Sequence, residues 1–143
     1  AVAETTATVL HGDLFRITAE EPYTDADLGH GESARVTREQ ADPNSRPAIK
    51  NRVENWEQYD TVVIGYPIWN GDAPRIVSTF VQSYDFTGKK VAVFCTSGSS
   101  GVEDSQEKLR ELLPGAEFRP GIRFDAAATV ADVRAWAAEA DIG

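Results

Sequence analysis

Hydrophobic residues in the second half of the chain form runs that predict buried strands. Residues 61–66 and 90–95 are continuous apolar runs rich in β-branched side chains. Such runs are typical of parallel strands that are buried on both faces. A shorter alternating run at 14–18 predicts another strand. The segment 117–124, broken at Pro120-Gly121, predicts the last one.

Helical periodicity and capping residues predict helices between these strands. Apolar residues recur at helical spacing after Pro74, and Asp72 is predicted to cap that helix, with Pro74 near its first turn. A second helix is predicted at 103–113, and Thr129 is predicted to cap the last one. Because strands alternate with helices, the pattern predicts an α/β fold with a parallel sheet and helices on both faces.

The first third of the chain gives weaker signals. Residues 1–10 have the pattern of the middle or end of a helix, because no capping residue precedes them. A weak helix is predicted at 33–40, inside a long polar connection. This start suggests that upstream residues were removed or belong to a longer chain.

Composition narrows the class of protein. Fourteen Lys and Arg residues against 23 Asp and Glu give a net charge of −9, which argues against partners such as nucleic acid or an anionic membrane. The chain of 143 residues is 41% apolar, enough for the core of one domain. Its single cysteine, Cys95, cannot form an intramolecular disulfide. We therefore expect one domain over residues 1–143 and a cytoplasmic location.

Two loops of unusual chemistry follow the two strongest strands, where ligands bind in open α/β sheets. The first, named here the Trp69 loop, covers Pro67, Ile68, Trp69, Asn70 and Gly71. Stacking of a flat ring on an aromatic side chain contributes about 0.5–1.5 kcal/mol beyond the burial of area. The loop therefore predicts a platform for a planar ligand, and the alternative is a tryptophan packed over its own helix.

The second loop, named here the Ser97 loop, is rich in glycine and serine and covers Thr96, Ser97, Gly98, Ser99, Ser100 and Gly101. Small residues before a helix expose backbone N–H groups and hydroxyls, which favours polar or anionic ligand atoms. The alternative is an ordinary flexible turn. We expect the two loops to face each other across neighbouring strand ends, with room for a flat, polar-edged heterocycle between them.

Together, residues 66–74 and 95–101 resemble the flavodoxin family, in particular flavodoxin-like proteins with a Tyr-Pro-Ile-Trp loop. Residues 46–50 and 57–60 also match that group. The resemblance implies a doubly wound parallel sheet of strand order 2-1-3-4-5 that binds FMN. It further implies that the isoalloxazine ring is contacted by Pro67, Ile68, Trp69, Asn70 and Gly71 on one side and by Thr96, Ser97, Gly98, Ser99 and Gly101 on the other.

The sequence departs from this family at its start. The family's first strand and its Ser/Thr-rich phosphate loop would precede Ala1, so strand 1 is missing from the pattern. Without it, two strand flanks would expose unpaired backbone groups. We favour an N-terminally incomplete domain. A strand supplied by a second copy, giving a strand-exchanged homodimer, and a sheet that closes without FMN are the alternatives.

The leading functional hypothesis is an FMN-dependent oxidoreductase or electron carrier that serves a redox partner protein or a small-molecule acceptor, with the chemistry supplied by the flavin. A flavin-free descendant that binds another small molecule or a protein partner is one alternative. An NAD(P)H-dependent quinone or azo reductase is the other. Which electron donor and acceptor would serve this chemistry stays open.

Several other residues have simpler interpretations. Cys95 is predicted to be an inert core thiol. Arg75 is predicted to face solvent, and contact with an anionic substrate is the alternative. Trp56 and Trp136 are predicted to be packing residues, and His11 and His30 to lie on the surface. With two histidines and one cysteine, the sequence argues against a zinc site.

Overall fold

A computed structural model describes residues 2–29, 31, 34–69, 71–97, 100–125 and 127–142. The helices of this part are α1 (Val2–Leu10), α2 (Arg35–Ala41), α3 (Arg75–Gln82), α4 (Glu103–Leu112) and α5 (Val130–Ala140), with a short 3-10 helix at Trp56–Gln58. The strands are β1 (Thr61–Pro67), β2 (Lys90–Thr96), β3 (Glu117–Phe118) and β4 (Ile122–Phe124).

The four strands form one parallel sheet with β2 at its centre. β1 pairs with β2 over its full length, from Thr61 opposite Lys90 to Pro67 opposite Thr96. On its other side, β2 pairs with β3 at one end and with β4 at the other. The interruption falls at Pro120, which has no N–H to donate to the ladder. The α/β fold with a parallel sheet is therefore confirmed, and these strands occupy the positions expected for strands 3, 4 and 5.

Helices pack on both faces of the sheet, around two hydrophobic clusters. On one face, side chains of β1 and β2 pack with α3 and α4 in a cluster that includes Ile64, Val77 and Leu109. On the other face, Phe94 of β2 packs with Phe124 and with Trp136 of α5, and α1 adds apolar residues to the same cluster. In the described part of the chain, no helix combines the length and the hydrophobicity needed to cross a bilayer.

The predicted strand at 14–18 is wrong. This segment is extended, but it forms no ladder with any described strand, and the pairing nearest to it is one antiparallel bridge between Ala19 and Ile49. Its backbone is bonded by the Asn51 amide, which donates to the carbonyl of Arg16 at 2.8 Å and accepts from the N–H of Thr18 at 3.3 Å. The N–H of Lys50 donates to the carbonyl of Thr18 at 2.8 Å. A strand requires a neighbour for its backbone ladder, which the hydrophobic alternation alone does not supply.

Helix boundaries agree with the sequence predictions to within a few residues. The weak helix predicted at 33–40 is α2, and the helix predicted at 103–113 is α4. Thr129 caps α5 as predicted, since its side chain accepts from the N–H of Asp132 while the Asp132 carboxylate accepts from the N–H of Thr129. This reciprocal pair is a capping box, which satisfies two backbone donors that a helix start leaves open.

Candidate functional site

The pairing of β1 with β2 brings the starts of the two predicted loops together. Tyr66 lies opposite Cys95 and Pro67 opposite Thr96, so the Trp69 loop and the Ser97 loop leave the same edge of the sheet side by side. This is the carboxyl edge of a parallel sheet, where open α/β folds bind ligands. Three residues predicted from the sequence, Asn70, Gly98 and Ser99, lie outside the described residues.

The Trp69 loop closes through a tight turn. The N–H of Trp69 donates to the carbonyl of Asp72 at 2.8 Å, and the N–H of Asp72 donates back to the carbonyl of Trp69 at 3.1 Å. Gly71 sits in this turn at a φ of +80°, a conformation that glycine adopts without steric cost. The turn leaves the Trp69 side chain half-buried at the end of β1.

A cavity of about 690 Å³ borders this loop and continues along the edge of β1 that faces away from β2. Its lining includes residues of the Trp69 loop and none of the described residues of the Ser97 loop. Near the carboxyl end of β1 its walls include Tyr66, Pro67, Trp69 and Tyr23. Trp69 is thus among the residues that line this cavity.

Tyr23 meets Trp69 in this wall, although the sequence gave no reason to connect them. The two rings lie edge to face, with centroids 5.3 Å apart and an interplanar angle of 72°. The Tyr23 hydroxyl donates to the Glu39 carboxylate at 2.6 Å, and the guanidinium of Arg35 lies 4.0 Å from the centroid of its ring. Burial, followed by the bond to Glu39, holds the pKa of Tyr23 well above its usual range.

The Ser97 loop is hydrogen-bonded to β4, the strand that pairs with the end of β2. The N–H of Ser97 donates to the carbonyl of Phe124 at 3.1 Å, and the guanidinium of Arg123 donates to the carbonyl of Ser97 at 2.8 Å. The Ser97 hydroxyl donates to the carbonyl of Ser100 at 2.9 Å. The loop is thus held by its bonds to Phe124 and Arg123 of β4.

Asp72 and Arg75 form an ion pair behind the Trp69 loop, and both predictions for them are wrong. The carboxylate of Asp72, 9% exposed, accepts from Arg75 at 3.2 Å and from Lys108 at 2.8 Å, and its other oxygen accepts from the N–H of Ala73 at 2.8 Å. The Arg75 side chain is 12% exposed, so it does not face solvent. Asp72 does not cap α3, because Pro74 occupies the capping position.

Gln40 supplies the contact that Asp72 was expected to make. Its side-chain oxygen accepts from the N–H of Arg75 at 3.1 Å, at the first turn of α3. Its amide nitrogen donates to the carbonyl of Trp69 at 2.9 Å and to the carbonyl of Ala73 at 3.1 Å. Sequence reasoning missed Gln40, because a single polar residue in a weakly predicted helix carries no signal of such distant partners.

Cys95 lies fully buried at the base of the Ser97 loop, as its prediction as a core thiol required. Burial raises the pKa of its thiol, which keeps the reactive thiolate scarce. His11 is exposed as predicted, whereas His30 lies outside the described residues. Among the described residues, no group of three His, Cys, Asp or Glu side chains is arranged to hold a metal ion.

The buried hydroxyl of Tyr66 is expected to make the stability of the fold depend on alkaline pH. This hydroxyl is 2.8 Å from that of Ser105 in the core, and burial raises the pKa of Tyr66 to about 12. The unfolded chain releases this proton near pH 10, so the stabilisation is present below pH 10 and declines as pH rises towards 12.

We expect Tyr66→Phe, which cannot ionise, to lose less stability over that interval. Urea unfolding at several pH values between 8 and 12 measures it. Tyr23 is unchanged in both proteins, so its own titration cancels in the comparison. An equal decline in both would show that Tyr66 does not contribute.

Comparisons with known proteins give a family and several similar structures. The family model for flavodoxin matches residues 1–140. The crystal structure of a candidate flavoprotein from Bacteroides eggerthii has a TM-score of 0.92 and 37% sequence identity, over 98% of this chain and 88% of that one. A second candidate flavoprotein, from Bacteroides uniformis, has a TM-score of 0.88 and 36% identity, over 93% and 85% of the two chains.

A third structure adds a bound cofactor in a more distant protein. It is a flavoprotein from Lactobacillus acidophilus in complex with FMN, with a TM-score of 0.64 and 20% identity over 94% of this chain and 90% of that one. At this identity the likeness concerns the fold alone. The comparison with curated proteins gave no match.

Proposed function

The chain belongs to the flavodoxin family, and from this premise we propose that it binds FMN between the Trp69 loop and the Ser97 loop. The bound flavin would carry electrons or reduce a small acceptor. The observation that carries the proposal is the register of β1 and β2, which starts both loops side by side at the carboxyl edge of the sheet. The FMN complex of the Lactobacillus protein supports the choice of cofactor.

The described residues of the two loops suit the ring of FMN. Trp69 offers a half-buried aromatic surface beside the cavity, and contact with a flat ring favours such a surface. Ser97 places a short polar segment at the neighbouring strand end, held by Phe124 and Arg123. The phosphate would need backbone N–H groups and hydroxyls, because the net charge of −9 opposes a dianion.

When bound, the flavin would supply the redox chemistry. The chain would hold the ring between its loops, keep water from the face against Trp69, and leave an edge accessible to a redox partner protein or a small acceptor. The excess of acidic residues sets an unfavourable field for added negative charge, so we expect it to lower the reduction potential of the site.

Titration with FMN tests the proposal, with Trp69→Ala as the informative variant. Loss of the stacked ring removes about 1.5 kcal/mol, which corresponds to roughly tenfold weaker binding. Trp69→Phe keeps an aromatic plane and is the matched control, expected to retain most of the affinity. Quenching of flavin fluorescence gives the dissociation constant for each protein.

The outcomes separate the site from the function. Equal affinity of Trp69→Ala and the parent would remove Trp69 from the site while leaving FMN binding intact. A parent protein that shows neither visible flavin absorbance nor FMN binding would contradict the proposed function. For a parent protein that binds FMN, steady-state assays with NADH and NADPH would distinguish an electron carrier, which uses neither directly, from a nicotinamide-dependent reductase.

A further inference from the structure

Gln40 joins two elements that are distant in sequence, and its side chain is fully engaged in doing so. It is 8% exposed and lies on α2. Its amide nitrogen donates to the carbonyl of Trp69, at the start of the turn, and to that of Ala73, just after it, and its oxygen accepts from the first N–H of α3. One carboxamide therefore satisfies three backbone groups with the donors and acceptor it has available.

The connection is reciprocal, which makes it rigid. While the Gln40 side chain bonds the backbone before and at Arg75, the guanidinium of Arg75 donates to the carbonyl of Gln40 at 2.7 Å and to that of Glu39 at 3.3 Å. The same guanidinium pairs with Asp72, which ends the turn. Each partner thus orders the backbone of the other, and the turn between Trp69 and Asp72 lies between them.

We propose that Gln40 is a positioning residue that fixes the Trp69 loop in the geometry needed for contact with a planar ligand. This inference rests on the proposed function and adds a residue to it. Gln40 does not line the cavity, so it would act on the ring through the carbonyl of Trp69 and not by touching it. Tyr23 restrains the Trp69 side chain from the other direction, by its edge-to-face contact.

The carboxamide is required by the pattern of its partners. Two of them are carbonyl oxygens, which need a donor, and the third is an N–H, which needs an acceptor. A glutamate of the same length keeps the acceptor but presents a carboxylate oxygen to two carbonyls. The carbonyl of Trp69 would keep its bond from the N–H of Asp72 but would face a carboxylate oxygen, as would the carbonyl of Ala73. Because a lost buried hydrogen bond is costly, the turn is expected to open where these carbonyls can reach water.

The test uses Gln40→Glu, which is nearly isosteric, and Gln40→Leu as an uncharged second variant should the first fail to fold. Gln58→Leu, at an exposed position, is the matched control. Hydrogen exchange measured by mass spectrometry, without flavin, should show amides of residues 68–76 exchanging about tenfold faster in the Gln40 variants, because Gln40→Glu loses two hydrogen bonds and Gln40→Leu loses three. The control should match the parent.

The second measurement is FMN titration, with the visible absorption spectrum of the bound flavin recorded under conditions where each protein is folded. We expect roughly three- to tenfold weaker binding and a changed flavin band in the Gln40 variants. A purely structural role would lower the urea midpoint while leaving the spectrum and the affinity of the folded protein unchanged, and that result would overturn the proposal.

Each of the two measurements can contradict the proposal independently of the other. Unchanged exchange at 68–76 in both Gln40 variants would overturn the positioning role whether or not FMN binds. A parent protein that does not bind FMN would contradict the proposed function and overturn the role of Gln40 toward that ligand. Faster exchange in the Gln40 variants would still show that Gln40 holds the Trp69 loop in place.

Discussion

Asp72→Asn is expected to lower the free energy of unfolding by about 3 kcal/mol, because it leaves a buried cation without its counter-ion. Asp72 and Arg75 are 9% and 12% exposed and lie 3.2 Å apart. Asparagine preserves the shape and can still accept from the N–H of Ala73, but its amide nitrogen would face the guanidinium of Arg75 and the ammonium of Lys108. Urea unfolding at neutral pH measures the change.

An exposed ion pair provides the matched control. Glu107 and Arg110 lie 3.8 Å apart and are 61% and 48% exposed, so Glu107→Gln should cost at most about 0.5 kcal/mol. Adding Arg75→Met to Asp72→Asn should restore part of the lost stability, since a buried pair can be replaced by apolar side chains more easily than it can be broken. If Asp72→Asn alone lowered the free energy of unfolding by no more than Glu107→Gln does, the stabilising role of the buried Asp72–Arg75 pair would be contradicted.

The central strands and their loops could be predicted because their signal is local. The runs at 61–66 and 90–95 are apolar without alternation, and this is the mark of a strand with two buried faces. Since both are parallel strands, their carboxyl ends meet at one edge, and the loops that follow must start as neighbours. The Thr129 cap was equally local, because its partner Asp132 is three residues away.

The parts that could not be predicted depend on residues far apart in sequence. Gln40 lies 29 residues from Trp69, and nothing in the pattern around it indicates a partner. Asp72 and Arg75 have the spacing of an ordinary helix start, and only the packing of Lys108 and α2 around them shows why they turn inward. The segment 14–18 alternates like a strand, but alternation sets its faces and not its neighbour.

The site itself stays a prediction in its detail. The family is established by the match over residues 1–140, and the position of the two loops is established by the register of β1 and β2. Contacts of Pro67, Ile68 and Gly71 with the flavin ring are expectations from the resemblance, as are those of Thr96, Ser97 and Gly101. Their physical basis is a half-buried aromatic beside a polar loop, which suits a planar ligand with polar edges.

Trp136→Ala is expected to cost about 4 kcal/mol of unfolding free energy, through a cavity in the core below α5. Trp136 is 2% exposed, and its ring centroid lies 5.9 Å from that of Phe94 and 5.8 Å from that of Phe124. Its indole N–H donates to the carbonyl of Pro120 at 2.9 Å. The truncation removes all of these contacts at once, and urea unfolding measures the loss.

The loss of packing should also affect the Ser97 loop, because Phe124 contacts both Trp136 and that loop. Its ring packs on Trp136, while its carbonyl accepts from the N–H of Ser97 at 3.1 Å. We therefore expect faster hydrogen exchange at residues 96–97 in Trp136→Ala and unchanged exchange in the Trp69 loop. Trp136→Phe keeps the ring packing and should lose only about 1–1.5 kcal/mol with the indole bond. If both variants cost the same, the hydrogen bond to Pro120 and not the ring packing would hold this face of the sheet together.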